Sequence, residues 1–502
     1  MMVIFTFLPI KTRFDKTYDM RNILCIFTLL LFISISFQVN AHKRAKYNIV
    51  IDTDGGVDDF RALTYFMSSR EFNINAITTV DGVLPPDLSA QYIQQLCDLY
   101  HHEGILVGEG KNGKASKQYQ SHAMPVWENL FGDIELFSFD ESVKLIQEAV
   151  NGESKRTIII ALGPLTNISD FVELYPSLKP KIETVLWYSD YDKKPVGYNY
   201  EQDKKAYSRL VKAQIPVKMI SSDNIAYGKD FLEICSKMKS VYANSIYKAF
   251  DNTGFAEGEM YYWDELIPLY LLYPSMFVEE SVGEYSKIIK PGGQNLFDIL
   301  ITGVLNFDKP DQGVVFNEVP TFGFMLRNDV LNVVDSLVAK HGYAEFKIAA
   351  LTSEIHSHMG IYSILGAKTG LRIMEYLHAG LDEIELVSYA GFDPPLSCFN
   401  DGLQVGTGST IGYGTISVDT LGNLSPSVLV RYNQREILFS IKPEVVKEIE
   451  SDISQLIKSY GLLSDMYWLK LREIAIYKYW LGMSRYDILE VEEKNCLMSD
   501  DQ

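Results

Sequence analysis

The 502-residue chain predicts an α/β domain, a mostly parallel sheet with helices on both faces, followed by a second domain of different character. Two observations carry that prediction. From Tyr47 onward, short apolar runs alternate with helical patterns, the signature of a parallel sheet with crossover helices. After about Gly342 the character changes, and a cluster of His and Gly begins at Glu354, which puts a boundary near 340–345.

The elements follow in order. Ile49–Ile51 reads as a buried strand, Gly55 and Gly56 as a tight turn, and Phe60 to Met67 as a helix. Ile74 to Val80 is a strand, Asp87 to Tyr100 a helix, Ile105 to Val107 a strand and Glu141 to Val150 a helix. Thr157 to Ala161, Thr184 to Trp187 and Val217 to Ile220 are further strands. Beyond the boundary, Ser397 to Ser417 is glycine-rich and β-like. Pro443 opens a helix whose apolar face runs through Val446, Ile449, Ile453, Leu456 and Ile457.

The first strand ends in a run of charge. IVIDTDGGVDDFRAL (49–63) places Asp52, Asp54, Asp58 and Asp59 within eight residues. Like charges this dense beside a core call for a compensating cation, and oxygen ligands suit Ca²⁺ or Mg²⁺. Helix capping by Asp58 or Asp59 accounts for one carboxylate, not four. The carboxyl end of a strand is also where open α/β sheets bind ligands.

Composition narrows the class. A net charge of −19 with no basic stripe argues against nucleic acid as a partner. Arg21 precedes the apolar run Ile23 to Phe37, and Val39-Asn40-Ala41 follows as a small-residue cleavage pattern, so residues 1–41 read as a signal peptide region with Met20 as its start. The expected location is periplasmic or extracellular. Once the signal is cleaved, no segment is left to hold the chain in a membrane; an uncleaved anchor is the alternative. Cys25 lies inside the apolar run, not at its small-residue end, so no lipoprotein site is expected. Cys97, Cys235, Cys398 and Cys496 show no CxxC spacing, and their pairing is not readable. The sequence leaves open association into homo-oligomers.

DTDGGVDDFRAL, followed by INAITTVDG and by ALGPLTN at 161–167, resembles the inosine-uridine-preferring nucleoside hydrolase family over roughly 46–340. The resemblance implies a nucleoside hydrolase-like α/β domain acting on small nucleoside or ribosyl substrates with one Ca²⁺ at the strand ends. It makes Asp54, Asp59, Asp264 and the backbone carbonyl of Leu162 the calcium ligands. Asp54 would also activate a metal-bound water, Asp58 would bind a ribose hydroxyl, and Asp52 would hold the loop from behind. Asn167 and Asn199 would be further substrate-binding residues, Asn199 near the sugar's 5′ end. The residue types suit the chemistry, because breaking an N-glycosidic bond passes through an oxocarbenium-like sugar that carboxylates stabilise.

Three positions depart from the family pattern. Val83 replaces an Asn, Gly197 replaces a Glu, and Trp263 replaces the His associated with protonating the leaving base. Trp263, Tyr261 and Tyr262 offer rings for stacking on a base or, equally, an aromatic face for the core. Glu257, Glu259 and Glu265 are candidate acids, set against the ordinary reading of solvated surface glutamates.

EIHSHMGIYSILGAKTGLRIMEYL (354–377) and PPLSCFNDGLQVGTGSTIGYGTI (394–416) resemble the formylmethanofuran dehydrogenase E family over roughly 343–490, leaving 491–502 as a tail. This implies a smaller α+β domain with a metal site, Zn²⁺ by donor type, and makes His356, His358, Cys398 and Asp401 its candidate ligands. Gly360 stands where that family carries a Cys, and Ser409 replaces a later one. The plainer reading makes the histidines polar residues opening a helix and Cys398 a buried small side chain. The glycines from Gly402 to Gly414 read as turns ahead of an anion cradle.

Three functions compete on these residues. The first is an exported calcium-dependent N-glycosyl hydrolase with an appended metal-binding domain. The second, resting on IDTDGG alone, is a phosphatase resembling the haloacid dehalogenase type. The third is a non-catalytic nucleoside-, sugar- or metal-binding protein, motivated by Trp263 in the general-acid position.

Overall fold

A computed structural model describes residues 45–494 apart from 114–116, 133, 154, 223, 252, 254–259, 293–295, 306–324 and 381. The signal region with Met20, Arg21 and Cys25, together with Glu257, Glu259 and Cys496, lies outside the described residues.

Among the described residues, eleven strands belong to the first domain: β1 (Tyr47–Thr53), β2 (Phe72–Thr79), β3 (Leu106–Glu109), β4 (Asp140–Glu141), β5 (Thr157–Ala161), β6 (Ile182–Tyr188), β7 (Asp190–Tyr191), β8 (Pro195–Val196), β9 (Val217–Ile220), β10 (Phe277–Ser281) and β11 (Ser286–Pro291). Nine of them form one sheet in the order β10-β11-β9-β6-β5-β1-β2-β3-β4; β7 and β8 make a separate hairpin. Only the β10–β11 pair in that sheet is antiparallel. Alternating side chains of β1 feed two cores, Ile49 and Ile51 on one face and Val50 on the other, as a sheet covered on both sides requires. The chain steps outward from β1 through β2 and β3, then returns to β5 on β1's other side and proceeds through β6 to β9. That reversal makes the carboxyl ends of β1 and β5 the place where a crevice opens.

The second domain carries β12 (Glu385–Ser388), β13 (Ile416–Val418), β14 (Ser427–Tyr432), β15 (Arg435–Ile441) and β16 (Leu489–Lys494), ordered β13-β12-β14-β15-β16. The expectation of a β-like segment over Ser397–Ser417 is corrected here: Phe399–Thr407 is a helix, and only the end of the segment enters β13. Gly402 and Gly406 lie four apart on one face of that helix and meet Gly366 and Gly370 of the helix Ile361–Tyr376; a Cβ at Gly406 would lie 2.8 Å from the Gly370 Cα. Close backbone approach, not a turn, is what Gly402 and Gly406 serve, and it overrides their low helix propensity, whereas Gly408 and Gly414, at φ +77° and +71°, are turn positions as expected. The helix Pro443–Tyr460 forms as expected, but Val445 joins Ile449 and Leu456 in the core while Ile457 is exposed. Among the described residues no helix is long and apolar enough to cross a membrane.

The two domains share a polar seam. Arg372 binds the Glu103 carboxylate at 2.7 Å and the His101 carbonyl at 2.9 Å, and Arg435 donates to the Gly104 carbonyl at 2.6 Å. Inside it, His378 bonds the Met67 carbonyl through Nε2 at 2.7 Å and meets His102 edge-on, with ring centroids 4.6 Å apart. Burial holds both rings neutral, lowering His378 to about 4 and His102 well below its usual range. The unfolded chain therefore takes up more protons than the folded one as pH falls from 6.5 towards 4, so stability falls over that window. For His378 the full window is worth about 3 kcal/mol. Urea unfolding at about pH 7 and about pH 5 should show roughly 2 kcal/mol of this loss, and His378→Gln should flatten it.

Candidate active site

The site is assembled at the carboxyl ends of β1 and β5. Asp52, the one acid of β1 and fully buried, accepts from Thr78 Oγ1 at 2.7 Å and Asn167 Nδ2 at 2.9 Å. The second Asn167 Nδ2 bond goes to the Thr79 carbonyl at 2.8 Å. Asn167 is buried and is not among the residues lining the main cavity; its amide ties β1, β2 and the following helix together. Burial raises Asp52 to about 7.

Asp54 is packed so tightly that a Cβ on either Gly82 or Gly163 would collide with its side chain. Its backbone N–H donates to Asp59 Oδ1 at 3.1 Å, and its Oδ2 accepts from the Val83 N–H at 3.1 Å. Gly55 turns the chain at φ +75°, and Trp127 Nε1 fixes the Gly55 carbonyl at 3.0 Å. The helix Val57–Met67 then opens with Asp58 and Asp59 in its first turn. Thr53 Oγ1 donates to Asp59.

From the far side, Asp264 completes the cluster. Carboxylate oxygens of Asp58, Asp59 and Asp264 lie within 4.8 Å of one another, the single such trio among the described residues. Both Asp264 oxygens are buried without a hydrogen-bond partner. Burial, reinforced by the neighbouring acids, drives Asp264 and Asp54 well above the carboxylate range and Asp58 up to about 7. Orphaned carboxylate oxygens, gathered where ionisation is this costly, fit a hard divalent cation. The sequence expectation placed Asp54 with Asp59 and Asp264 and gave Asp58 to the sugar; the structure brings Asp58 into the trio and sets Asp54 beside it. Asn199 Nδ2 donates to the Leu162 carbonyl at 2.8 Å, so those two residues meet at the same rim.

A cavity of about 460 Å³ opens over this cluster. Asp54, Asp58, Asp59, Leu162, Asn199 and Trp263 all line it. The aromatic segment divides: Trp263 faces the cavity, stacked on Tyr261 at 6.1 Å, whereas Tyr262 is core, stacked on Tyr227 at 3.8 Å. Glu265, read as a surface glutamate, is instead fully buried and ion-paired with Arg61. Sequence reasoning also missed Tyr119 and His122, which line the cavity from the helix Lys117–Phe131, and Tyr188, Asp190 and Tyr198. The one signal for Arg61 was a charge inside an apolar helix face.

In the second domain, His356 caps the helix Tyr343–Ile355 at its carboxyl end and His358 sits in the loop after it; neither opens a helix. Asp401 Oδ2 accepts from His356 Nδ1 at 2.7 Å. Cys398 is a free, half-buried thiol that burial pushes up to about 11. Among the described residues no three of these four groups converge as ligands.

Residues 49–326 match the model of the family described as Inosine-uridine preferring nucleoside hydrolase, and residues 355–462 match that of FmdE, Molybdenum formylmethanofuran dehydrogenase operon. A pyrimidine-specific ribonucleoside hydrolase RihA of Shewanella sp. (strain MR-7) is 26% identical over 193 residues, 35% of this chain and 58% of that one. Uridine nucleosidase 1 of Arabidopsis thaliana is 26% identical over 145 residues, 28% of this chain and 43% of that one. The chain thus spans about half the length of the curated relatives it matches. Among solved structures, the purine-preferring ribonucleoside hydrolase from Gardnerella vaginalis aligns with 52% of this chain and 99% of its own, at 18% identity and TM-score 0.41.

Proposed function

Since the chain belongs to the inosine-uridine preferring nucleoside hydrolase family through residues 49–326, we propose that it is an exported, calcium-dependent hydrolase of N-glycosidic bonds in nucleosides or related ribosyl compounds. The observation that carries the proposal is the Asp58–Asp59–Asp264 trio, Asp59 and Asp264 buried and Asp58 half-buried, with both Asp264 oxygens unpartnered, beside a cavity large enough for a nucleoside. Asp58, Asp59 and Asp264 would hold the ion, with the Leu162 carbonyl at the rim. A bound Ca²⁺ supplies chelation of vicinal sugar hydroxyls and a lowered pKa for water. Asp54, its Oδ2 anchored on the Val83 N–H, takes the proton from the attacking water. The carboxylates around the sugar ring stabilise the positive charge it develops. Trp263 stacks on the leaving group. Export rests on the N-terminal run, and for the second domain a borderline ion of the Zn²⁺ class suits the histidine pair.

We assign the protic group absent at Trp263 to His122, which lines the same cavity from the helix that also presents Tyr119. His122→Ala should lower kcat on ordinary nucleosides by roughly 10²-fold and spare a nitrophenyl riboside, whose leaving group needs no proton. Equal losses on both substrates would remove His122 from that role.

The reading is tested by incubating the protein with a nucleoside and ribosyl-compound panel and measuring free base and reducing sugar together. Equimolar release of the two is expected. Trp263 favours one second reading, ligand capture without chemistry, and tight binding of panel members with no product would establish it instead.

A further inference from the structure

We infer that the hollow beside the aspartate trio is built for cationic ribosides, N-ribosyl pyridinium compounds whose ring departs as a neutral pyridine, and against phosphorylated ones. This rests on the hydrolase reading of the first domain and deepens it to a substrate class.

The walls of the cavity carry one sign of charge. Asp54, Asp58, Asp59 and Asp190 line it, and among its described lining residues none is Lys or Arg. A single divalent ion offsets two of those four carboxylates, so the loaded site keeps a negative field that draws in cations. A 5′-phosphate would enter the same field with no ammonium or guanidinium to meet it.

The rings suit the same ligand. Trp263 lines the cavity and stacks on Tyr261, with centroids 6.1 Å apart. Tyr119 and Tyr198 line it too, edge to face at 4.7 Å. The face of an indole attracts positive charge through its quadrupole, and a flat cationic heterocycle gains stacking area as well.

The proton inventory selects the same class. When an ordinary nucleoside breaks, the C1′–N electron pair goes to a base that must then take up a proton. The Trp263 indole is no acid in water, and Tyr198 Oη already donates to the Gly82 carbonyl at 2.8 Å. Burial pushes the Tyr188 phenol above its ordinary range, which makes it a weaker acid still. The proton for a neutral base therefore falls to His122. An N-ribosyl pyridinium has no such need, because the same electron pair neutralises the ring nitrogen. Water adds to C1′ and gives its proton to Asp54, and the balance closes as riboside cation plus water to ribose, pyridine and one proton.

The probe is N-ribosylnicotinamide, given to the full chain with calcium beside inosine, uridine, its own 5′-phosphate and its uncharged dihydropyridine form. Base release is measured above the rate without protein. The KM of the cation should lie about tenfold below the inhibition constant of the dihydropyridine form, which has nearly the same outline and no charge. Its kcat/KM should exceed those of inosine and uridine by at least about tenfold, and the 5′-phosphate should lose at least about tenfold. Trp263→Phe, which keeps a ring face, should keep the preference. Trp263→His, which trades the indole for a proton donor, should raise kcat on uridine and lower kcat/KM on the pyridinium about tenfold. Release from inosine or uridine with the pyridinium no better, or a dihydropyridine form that binds as tightly as the cation, overturns this substrate class and leaves the hydrolase reading standing. No base from any member of the set overturns both.

Discussion

Asp264→Asn is expected to abolish calcium binding in the first domain and to lower kcat/KM by at least about 10³-fold. The substitution keeps the shape of the side chain and removes one of three carboxylates that face each other within 4.8 Å. Its effect on stability separates it from a folding defect. In the wild-type protein without calcium, Asp264 is held well above its usual pKa by burial and by the acids around it. Asparagine removes the cost of burying an acid there, so metal-free Asp264→Asn protein should melt higher than metal-free wild type. Added calcium should then raise the Tm of the wild type, by preferential binding to the folded state, and leave the variant unmoved. Differential scanning fluorimetry with and without EDTA reads both effects.

The second large effect is expected at Arg61 and Glu265, which clamp the two halves of the cation site. Arg61 lies two residues after Asp59, and Glu265 directly follows Asp264. The guanidinium is paired with the Glu265 carboxylate and donates to the Tyr261 carbonyl at 3.1 Å. Glu265 in turn accepts from the Trp263 N–H at 2.8 Å and from Tyr227 Oη at 3.2 Å. Neither side chain reaches solvent, so breaking the pair strands a buried charge. Arg61→Met should cost roughly 3–5 kcal/mol by urea unfolding. Arg61→Met/Glu265→Met, which removes both charges, should recover most of that loss. Calcium affinity should stay reduced in the double variant, because the polar clamp that sets the Asp264 loop against the Asp58–Asp59 helix is then gone. Recovery of affinity along with stability would contradict the clamp.

The sequence made the parallel sheet legible because each strand of its centre is a short apolar run between helical patterns, as in TIIIA at 157–161. It made the four aspartates legible because charge of that density next to a strand has few structural explanations. Tertiary proximity was harder. Nothing local reveals that Asn167 turns its amide to Asp52 and Thr79, away from the main cavity. Nor does spacing show that His122, more than 60 residues from the aspartates, lines the same hollow. The helix Phe399–Thr407 was missed because its glycines argue against a helix locally, and only the partner glycines of a crossing helix reverse that preference. Glu265 was misread because a glutamate beside aromatic residues reveals its burial only through Arg61, 204 positions away.

The most direct test strips the protein with EDTA, titrates calcium back, and follows release of free base from the best substrate of the panel, in wild type and in Asp54→Ala. The account predicts no release from stripped protein, recovery saturating at one calcium per chain, and an Asp54→Ala variant that melts higher on adding calcium yet turns over roughly 10²–10⁴-fold more slowly. Base release that ignores EDTA, or a wild-type rate in Asp54→Ala, would contradict it.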